Sequence, residues 1–199
     1  MKAKTVREAA LHRKTGETDI RVKLRIDGAG THEVDTGIPF LDHMLSLWAK
    51  HGCFDLWLSG KGDLEVDDHH LVEDIGILLG KVIAEAAGDK KGIRRYGTGN
   101  VPMDEALAQV FLDLSGRPYL VYKVVPTRKK IKNFDVDLIE HFFEALVQKS
   151  GLTLHVHVPY GKNPHHVLEG IFKAFGRALD QALQIDSRIR GVLSTKGAL

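Results

Sequence analysis

Residues 69–73 read His69-His70-Leu71-Val72-Glu73, and residues 165–169 read His165-His166-Val167-Leu168-Glu169. Each copy is an adjacent histidine pair with a glutamate four residues after its first histidine, and each opens an apolar stretch with helical spacing. On an α-helix, positions i and i+4 share a face, so His69 can share a ligand with Glu73 and His165 with Glu169. Neighbouring residues point about 100° apart, because one turn takes roughly 3.6 residues. The two histidines of a doublet therefore address different centres, and the repetition predicts a two-metal protein built from two equivalent halves.

The flanks repeat as well. Gly80 and Gly176 follow the doublets at the same interval, each before a basic residue, Lys81 and Arg177. Upstream, a lone histidine precedes each doublet, by 26 residues (His43 to His69) and by 24 (His141 to His165). A two-copy repeat predicts an α+β fold of two similar halves related by pseudo-twofold symmetry, each a small sheet with two helices on one face. The halves are expected at residues 1–91 and 92–185. Residues 186–199 lose periodicity and read as a C-terminal tail on the same compact unit.

Within the first half, residues 4–11 suggest a strand. Ile20, Val22, Leu24 and Ile26 alternate with Arg21, Lys23 and Arg25, the period of a half-buried sheet. Residues 31–35 suggest a short partner to it across the turn at Gly28. A helix begins near Pro39, with Ile38, Leu41, Met44, Leu45 and Trp48 as its apolar stripe and Gly52 as its cap. Residues 53–59 read as a strand, 60–63 as a turn, and Asp67 or Asp68 as the cap of the first doublet helix, which stops at Gly88. The second half suggests strands at 106–114 and 119–125, a helix capped by Asp135 and ending at Gly151, and a strand at 152–158. Asn163 then caps the second doublet helix.

The bulk composition is that of a globular chain: 199 residues, 43% apolar and 27% charged. A formal net charge of +2, from 28 basic and 26 acidic residues, gives no electrostatic case for nucleic acid. No apolar run approaches the ~20 residues of a membrane span, and residues 1–19 lack the apolar core of a signal peptide. A cytoplasmic protein is expected. The single cysteine, Cys53, excludes an intrachain disulfide and a thiolate metal cage.

A lone histidine on a half-apolar helix is more often a packed or surface residue than a ligand, and that reading is applied to His12, His32 and His51. His155 and His157 share a strand face that suits solvent or an interface better than a metal. The doublets differ because the coincidence is repeated. With His43 and His141 they supply six imidazoles and two carboxylates, or four protein ligands for each of two ions. His70 and His166 are left to cross to the other half's centre, within one chain or between chains. Nitrogen and carboxylate ligands without sulfur suit Mn, Fe, Zn or Ni, and open positions lean toward six-coordinate Mn or Fe.

Further motifs surround these residues. Phe40-Leu41-Asp42-His43-Met44-Leu45, Asp68-His69-His70-x-x-Glu73-Asp74, Pro102-Met103-Asp104-Glu105-Ala106-Leu107, Leu114-Ser115-Gly116-Arg117-Pro118-Tyr119, Glu140-His141-Phe142-Phe143 and the second doublet through Phe175 occur in the order of the imidazoleglycerol-phosphate dehydratase family. The tail Ser194-Thr195-Lys196-Gly197 resembles that family's ending. Two departures stand out: Leu71, where the family often has Thr, and Leu47, where it commonly has Gln.

The resemblance implies a fold of the ribosomal protein S5 domain 2-like kind. It also implies a step of histidine biosynthesis, loss of water from imidazole glycerol phosphate to give imidazole acetol phosphate. Two Mn2+ per active site are implied, with other divalent metals possible. The implied ligands are His43, His69, His70, Glu73, His141, His165, His166 and Glu169. Glu17, His70 and His166 would carry the catalysis, with Glu17 contacting substrate and shuttling a proton. Arg95, Arg117, Lys173, Ser194 and Lys196 would contact the phosphate. The implied assembly is a homo-oligomer of 24 subunits built from trimers, with active sites at subunit contacts.

Two other classes compete. One is a metal-dependent hydrolase or isomerase acting on another phosphorylated small molecule. The other is a non-catalytic metal-storage assembly, for which a phosphate-binding tail would be needless.

Overall fold

The computed structural model describes residues 6–124 and 129–199. In chain order the elements are β1 (Glu8–Lys14), β2 (Thr18–Arg25), β3 (His32–Asp35), α1 (Pro39–His51), β4 (Asp55–Gly62) and α2 (His69–Ala87). There follow β5 (Tyr96–Met103), β6 (Ala106–Asp113), β7 (Tyr119–Lys123), β8 (Lys130–Ile131), β9 (Phe134–Asp135), α3 (Leu138–Ser150), β10 (Thr153–Tyr160) and α4 (Pro164–Leu183). The start of the expected strand at 4–11 and the end of that at 119–125 lie outside the described residues.

Two four-stranded sheets form, in the orders β1-β2-β4-β3 and β5-β6-β10-β7. Each begins with an antiparallel hairpin and ends with a parallel pair, β3 with β4 and β7 with β10. The fold is α+β with two similar halves, as the repeat predicts. Along β2, Ile20, Val22 and Leu24 are buried while Arg21 is exposed, so the sheet turns one apolar face inward. Both sheets and all four helices contribute to one hydrophobic cluster.

The halves are interlocked through their helices. The doublet helix α2 packs on β1 and β2 and against α3, while α4 packs on β5 and β6 and against α1. Gly80 and Gly176 explain themselves here. A methyl group on Gly80 would strike the carbonyl of Leu146 on α3, and one on Gly176 the carbonyl of Trp48 on α1. Each doublet helix thus crosses the lone-histidine helix of the other half at a residue with no side chain.

Several expectations are corrected. Residues 32–35 do not pair with β2; β3 runs parallel to β4, beyond it in the sheet. The expected turn at 60–63 begins later, because β4 continues to Gly62, and the strand expected at 152–158 runs on as β10 to Tyr160. Strand β5 and the small β8–β9 hairpin were not anticipated, and α3 starts after Asp137 rather than Asp135. Gly88 and Gly151 end α2 and α3 as expected. After α4 no further helix or strand forms, although Ile185 makes an isolated antiparallel bridge to Ile93.

Candidate metal centre

The doublet helices start where local chemistry puts them. Asn163 caps α4, its Oδ1 accepting from the His165 backbone N–H at 3.0 Å, with Pro164 in the first turn. At α2 the N-cap residue is Asp68, whose side chain makes no capping bond; Asp67, one residue earlier, accepts from the His69 N–H at 2.8 Å. Both doublets are therefore held in the first turn of a helix, where their rings project beyond the core.

The lone histidine of each half meets the doublet of the other. His43 Nε2 on α1 lies 2.7 Å from Glu169 Oε1, and His165 Nε2 lies 3.5 Å from the same oxygen. One ligand atom from each of His43, His165 and Glu169 falls within 4.8 Å of the others. The carboxylate of Glu169 is nearly buried and its Oε2 accepts from Lys173 Nζ at 2.9 Å. Burial works to raise its pKa, but the hydrogen bonds from Lys173 and His43 outweigh that, and the net direction is down.

The pseudo-equivalent set is more open. His69 and His141 have ring centroids 5.2 Å apart, and His69 Nε2 is 4.0 Å from Glu73 Oε2. All three line one surface hollow of about 290 Å³ between α2 and α3. Here Glu144 competes, its Oε2 lying 3.4 Å from His141 Nδ1. The i,i+4 pairs are those expected from spacing. The partner of each comes from the opposite half through His43 and His141.

His70 and His166 point elsewhere. His70 Nδ1 is 3.0 Å from Asp63 Oδ2 and 3.9 Å from Glu17 Oε2. His166 Nδ1 is 2.8 Å from Glu105 Oε2. The Asp63 hydrogen bond raises the pKa of His70, and the Glu105 hydrogen bond that of His166. The His166 bond, with backbone donors, holds the Glu105 carboxyl down to about 2. Sequence reasoning did not single out Asp63 or Glu105. Their signal was their place, in the turn before the first doublet and in the Asp104-Glu105 hairpin tip.

Glu17 stands in the β1–β2 turn with its carboxylate half-exposed. Thr15 Oγ1 accepts from the backbone N–H of Glu17 and Thr18, and Thr18 Oγ1 donates to Asp74 Oδ2 at 2.6 Å. Arg13 also binds Asp74, so the turn carrying Glu17 is tied to α2 one residue beyond Glu73.

The expected phosphate ligands fall into two groups. Arg95 is buried and makes a bidentate pair with Asp113 at 2.6 and 2.9 Å. Its third bond goes to the carbonyl of Leu193 at 2.7 Å, next to Ser194. Arg117 is exposed, 3.9 Å from Asp113, and Ser194 Oγ accepts from the Lys196 N–H. Arg95, Arg117, Ser194 and Lys196 are thus joined through Asp113 and the tail, whereas Lys173 sits on Glu169. Of the departures, Leu71 is wholly buried and Leu47 partly so.

The imidazoleglycerol-phosphate dehydratase family model matches residues 36–179. A relative named imidazoleglycerol-phosphate dehydratase from Geobacter metallireducens is 57% identical over 193 residues, covering 97% of this chain and 99% of that one. One of the same name from Acetivibrio thermocellus is 56% identical over the same shares. Among solved structures, the imidazoleglycerol-phosphate dehydratase of Staphylococcus aureus N315 aligns with a TM-score of 0.82 at 40% identity, over 90% of this chain and 99% of that one. The Pyrococcus furiosus IGPD in complex with (S)-C348 gives 0.82 at 35% identity, over 95% and 100%.

Proposed function

The chain belongs to the imidazoleglycerol-phosphate dehydratase family of carbon–oxygen lyases, which act in histidine biosynthesis, and from that premise we propose a metal-dependent dehydration of imidazole glycerol phosphate to imidazole acetol phosphate. The observation that carries the metal dependence is the convergence of His43, His165 and Glu169 within 4.8 Å. Ligand atoms around an ion held at about 2 Å stand some 3–4 Å apart, so the set fits a cation once the imidazoles are neutral. His69, Glu73 and His141 form the second set. Nitrogen and carboxylate donors without sulfur suit Mn2+, with other divalent metals possible.

His70 and His166 complete the ligands in this reading. Neither belongs to the His43 set or lines the hollow of the His141 set. That supports lending each to a neighbouring chain, in a homo-oligomer of 24 subunits built from trimers, in the cytoplasm. Bound metal would lower the pKa of the substrate's imidazole and stabilise negative charge on it.

The remaining chemistry belongs to the chain. The reaction removes a hydrogen from an unactivated carbon and expels hydroxide, a poor leaving group. Glu17, on a turn pinned to α2, takes the carbon-bound proton at its carboxylate and returns a proton to the departing oxygen. The enol left by loss of water then ketonises. Arg95 and Arg117 grip the phosphate with the N–H groups that Asp113 and Leu193 leave over; three of the five on Arg95 are used. Lys173 adds a cation beside Glu169, and Ser194 and Lys196 close residues 186–199 over the substrate. Incubating the Mn2+-loaded protein with imidazole glycerol phosphate tests this: imidazole acetol phosphate should accumulate, and its failure to form would sink the proposal.

A further inference from the structure

The hairpins β1–β2 and β5–β6 occupy equivalent places in the two sheets. Glu17 immediately precedes β2 and Glu105 immediately precedes β6, so the repeat makes these carboxylates counterparts. They behave differently. Glu105 accepts from His166 Nδ1 through Oε2 at 2.8 Å, while its Oε1 accepts from the backbone N–H of Lys162 and Asn163, the residues leading into α4. Glu17 stands back, 3.9 Å from His70 Nδ1. Asp63, from the loop between β4 and α2, takes that ring instead at 3.0 Å.

A carboxylate can only accept, so Nδ1 is the protonated nitrogen in both rings. Nε2 is then the lone-pair nitrogen of a neutral ring, and among the described residues it makes no hydrogen bond in either histidine. Among the described residues, Asp63 Oδ1 is buried with no hydrogen-bond partner, and the one side-chain hydrogen bond of Asp63 goes to His70.

We propose that Asp63 and Glu105 are positioning residues that fix the Nδ1–H tautomer of His70 and His166, presenting Nε2 of each as the metal-ligating atom, and that Asp63 thereby leaves Glu17 free for proton transfer. This rests on the reading of both histidines as metal ligands. Metal-ligating histidines usually donate their other ring N–H to a carboxylate or carbonyl, and such partners set both ring orientation and ligand basicity. The second half uses its hairpin carboxylate for the task. The first half has moved the task to a different loop and kept its hairpin carboxylate 3.9 Å from the ring, beyond hydrogen-bond distance.

The test is calorimetric titration of Mn2+ into metal-stripped, full-length wild type, Asp63→Ala, Asp63→Asn, Glu105→Ala and Glu105→Gln. The melting temperatures of the stripped chains serve as control. The alanine variants should bind Mn2+ roughly 10–100-fold more weakly. The amide variants should recover most of that loss, because an amide carbonyl still accepts from Nδ1. Unchanged affinity in the alanine variants overturns the proposal. So do amide variants as weak as alanine, which would make the carboxylates ligands themselves. Should an alanine variant fail to fold, nitrogen-15 histidine spectra of the stripped wild type decide, at a pH where the rings are neutral. The Nδ1–H form at His70 and His166 supports the proposal and the Nε2–H form overturns it. If the wild type binds no Mn2+ at all, the metal reading fails, and the same spectra still settle the tautomers.

Discussion

His43 and Glu169 are 126 residues apart in the chain and 2.7 Å apart in space. The first belongs to the lone-histidine helix of one half and the second to the doublet helix of the other. Their contact depends on the close crossing of α1 and α4 at Gly176. Helix packing and the placement of the candidate metal ligands are therefore one problem in this fold.

Replacing Gly176 with Ala should destabilise the protein by about 1–3 kcal/mol, the usual cost of forcing a methyl group into a filled core. The added carbon would meet backbone of α1, which cannot rotate away. Gly16 has open space around the same position and is the control. Urea unfolding should show a lower midpoint for Gly176→Ala and little change for Gly16→Ala.

Glu17→Gln should lower turnover by about 100-fold or more, the lower range of general acid–base contributions. Bound Mn2+ should stay near the wild-type level, because Glu17 belongs to neither cross-half set, although its carboxylate lies within 4.8 Å of ligand atoms of Asp63 and His70. Turnover and metal content measured on one preparation check this, and parallel losses would place Glu17 among the ligands.

Arg95→Lys should raise KM for the phosphorylated substrate more than it lowers kcat. Lysine cannot reproduce the fork that grips Asp113 while also holding the Leu193 carbonyl. The tail should be cut more readily in limited proteolysis. Unaltered KM together with unaltered proteolysis would separate Arg95 from the tail and from phosphate.

Asp55 is a buried carboxylate whose environment links stability to acid pH. Burial works to raise its carboxyl, but it accepts backbone N–H bonds from Ala29 and Thr31 and has Arg25 nearby, so its folded pKa lies below the ordinary 3.8. With the folded value depressed, its stabilisation is complete above the unfolded value and is lost as pH falls through the folded one. Wild type should therefore lose stability below about pH 4 more steeply than Asp55→Ala. At neutral pH the variant should be less stable by about 2–3 kcal/mol, the cost of leaving buried donors unmet. Urea unfolding across this range reads both, and equal acid slopes would remove Asp55 from the account.

What the sequence made legible was local. His165 with Glu169, the Asn163 cap, Gly88 and the alternation along β2 are signals spanning a few residues, and each is found in place. Strand β5 was not legible because Gly97 and Gly99 stand where an alternating strand would carry apolar side chains. It becomes a strand because Gly97 and Gly99 let the backbone of α4 approach at Ala178 and Ala174. The pairing of β3 with β4 skips β2, and hairpin reasoning favours the nearer neighbour. The exchange of lone histidines between halves carries no local signal at all. It follows from how α1 meets α4 and α2 meets α3.

In the proposed function, each cross-half set holds a metal on which dehydration depends. The most direct measurement adds Mn2+ stepwise to metal-stripped protein and follows imidazole glycerol phosphate turnover against bound Mn2+, with His43→Ala alongside. Turnover should be lost on stripping and return as bound metal rises to two ions per chain, one for the His43 set and one for the His141 set. His43→Ala should stop short of that count and stay inactive. Full turnover by the stripped wild type, or two tightly bound ions and full activity in His43→Ala, would contradict the account.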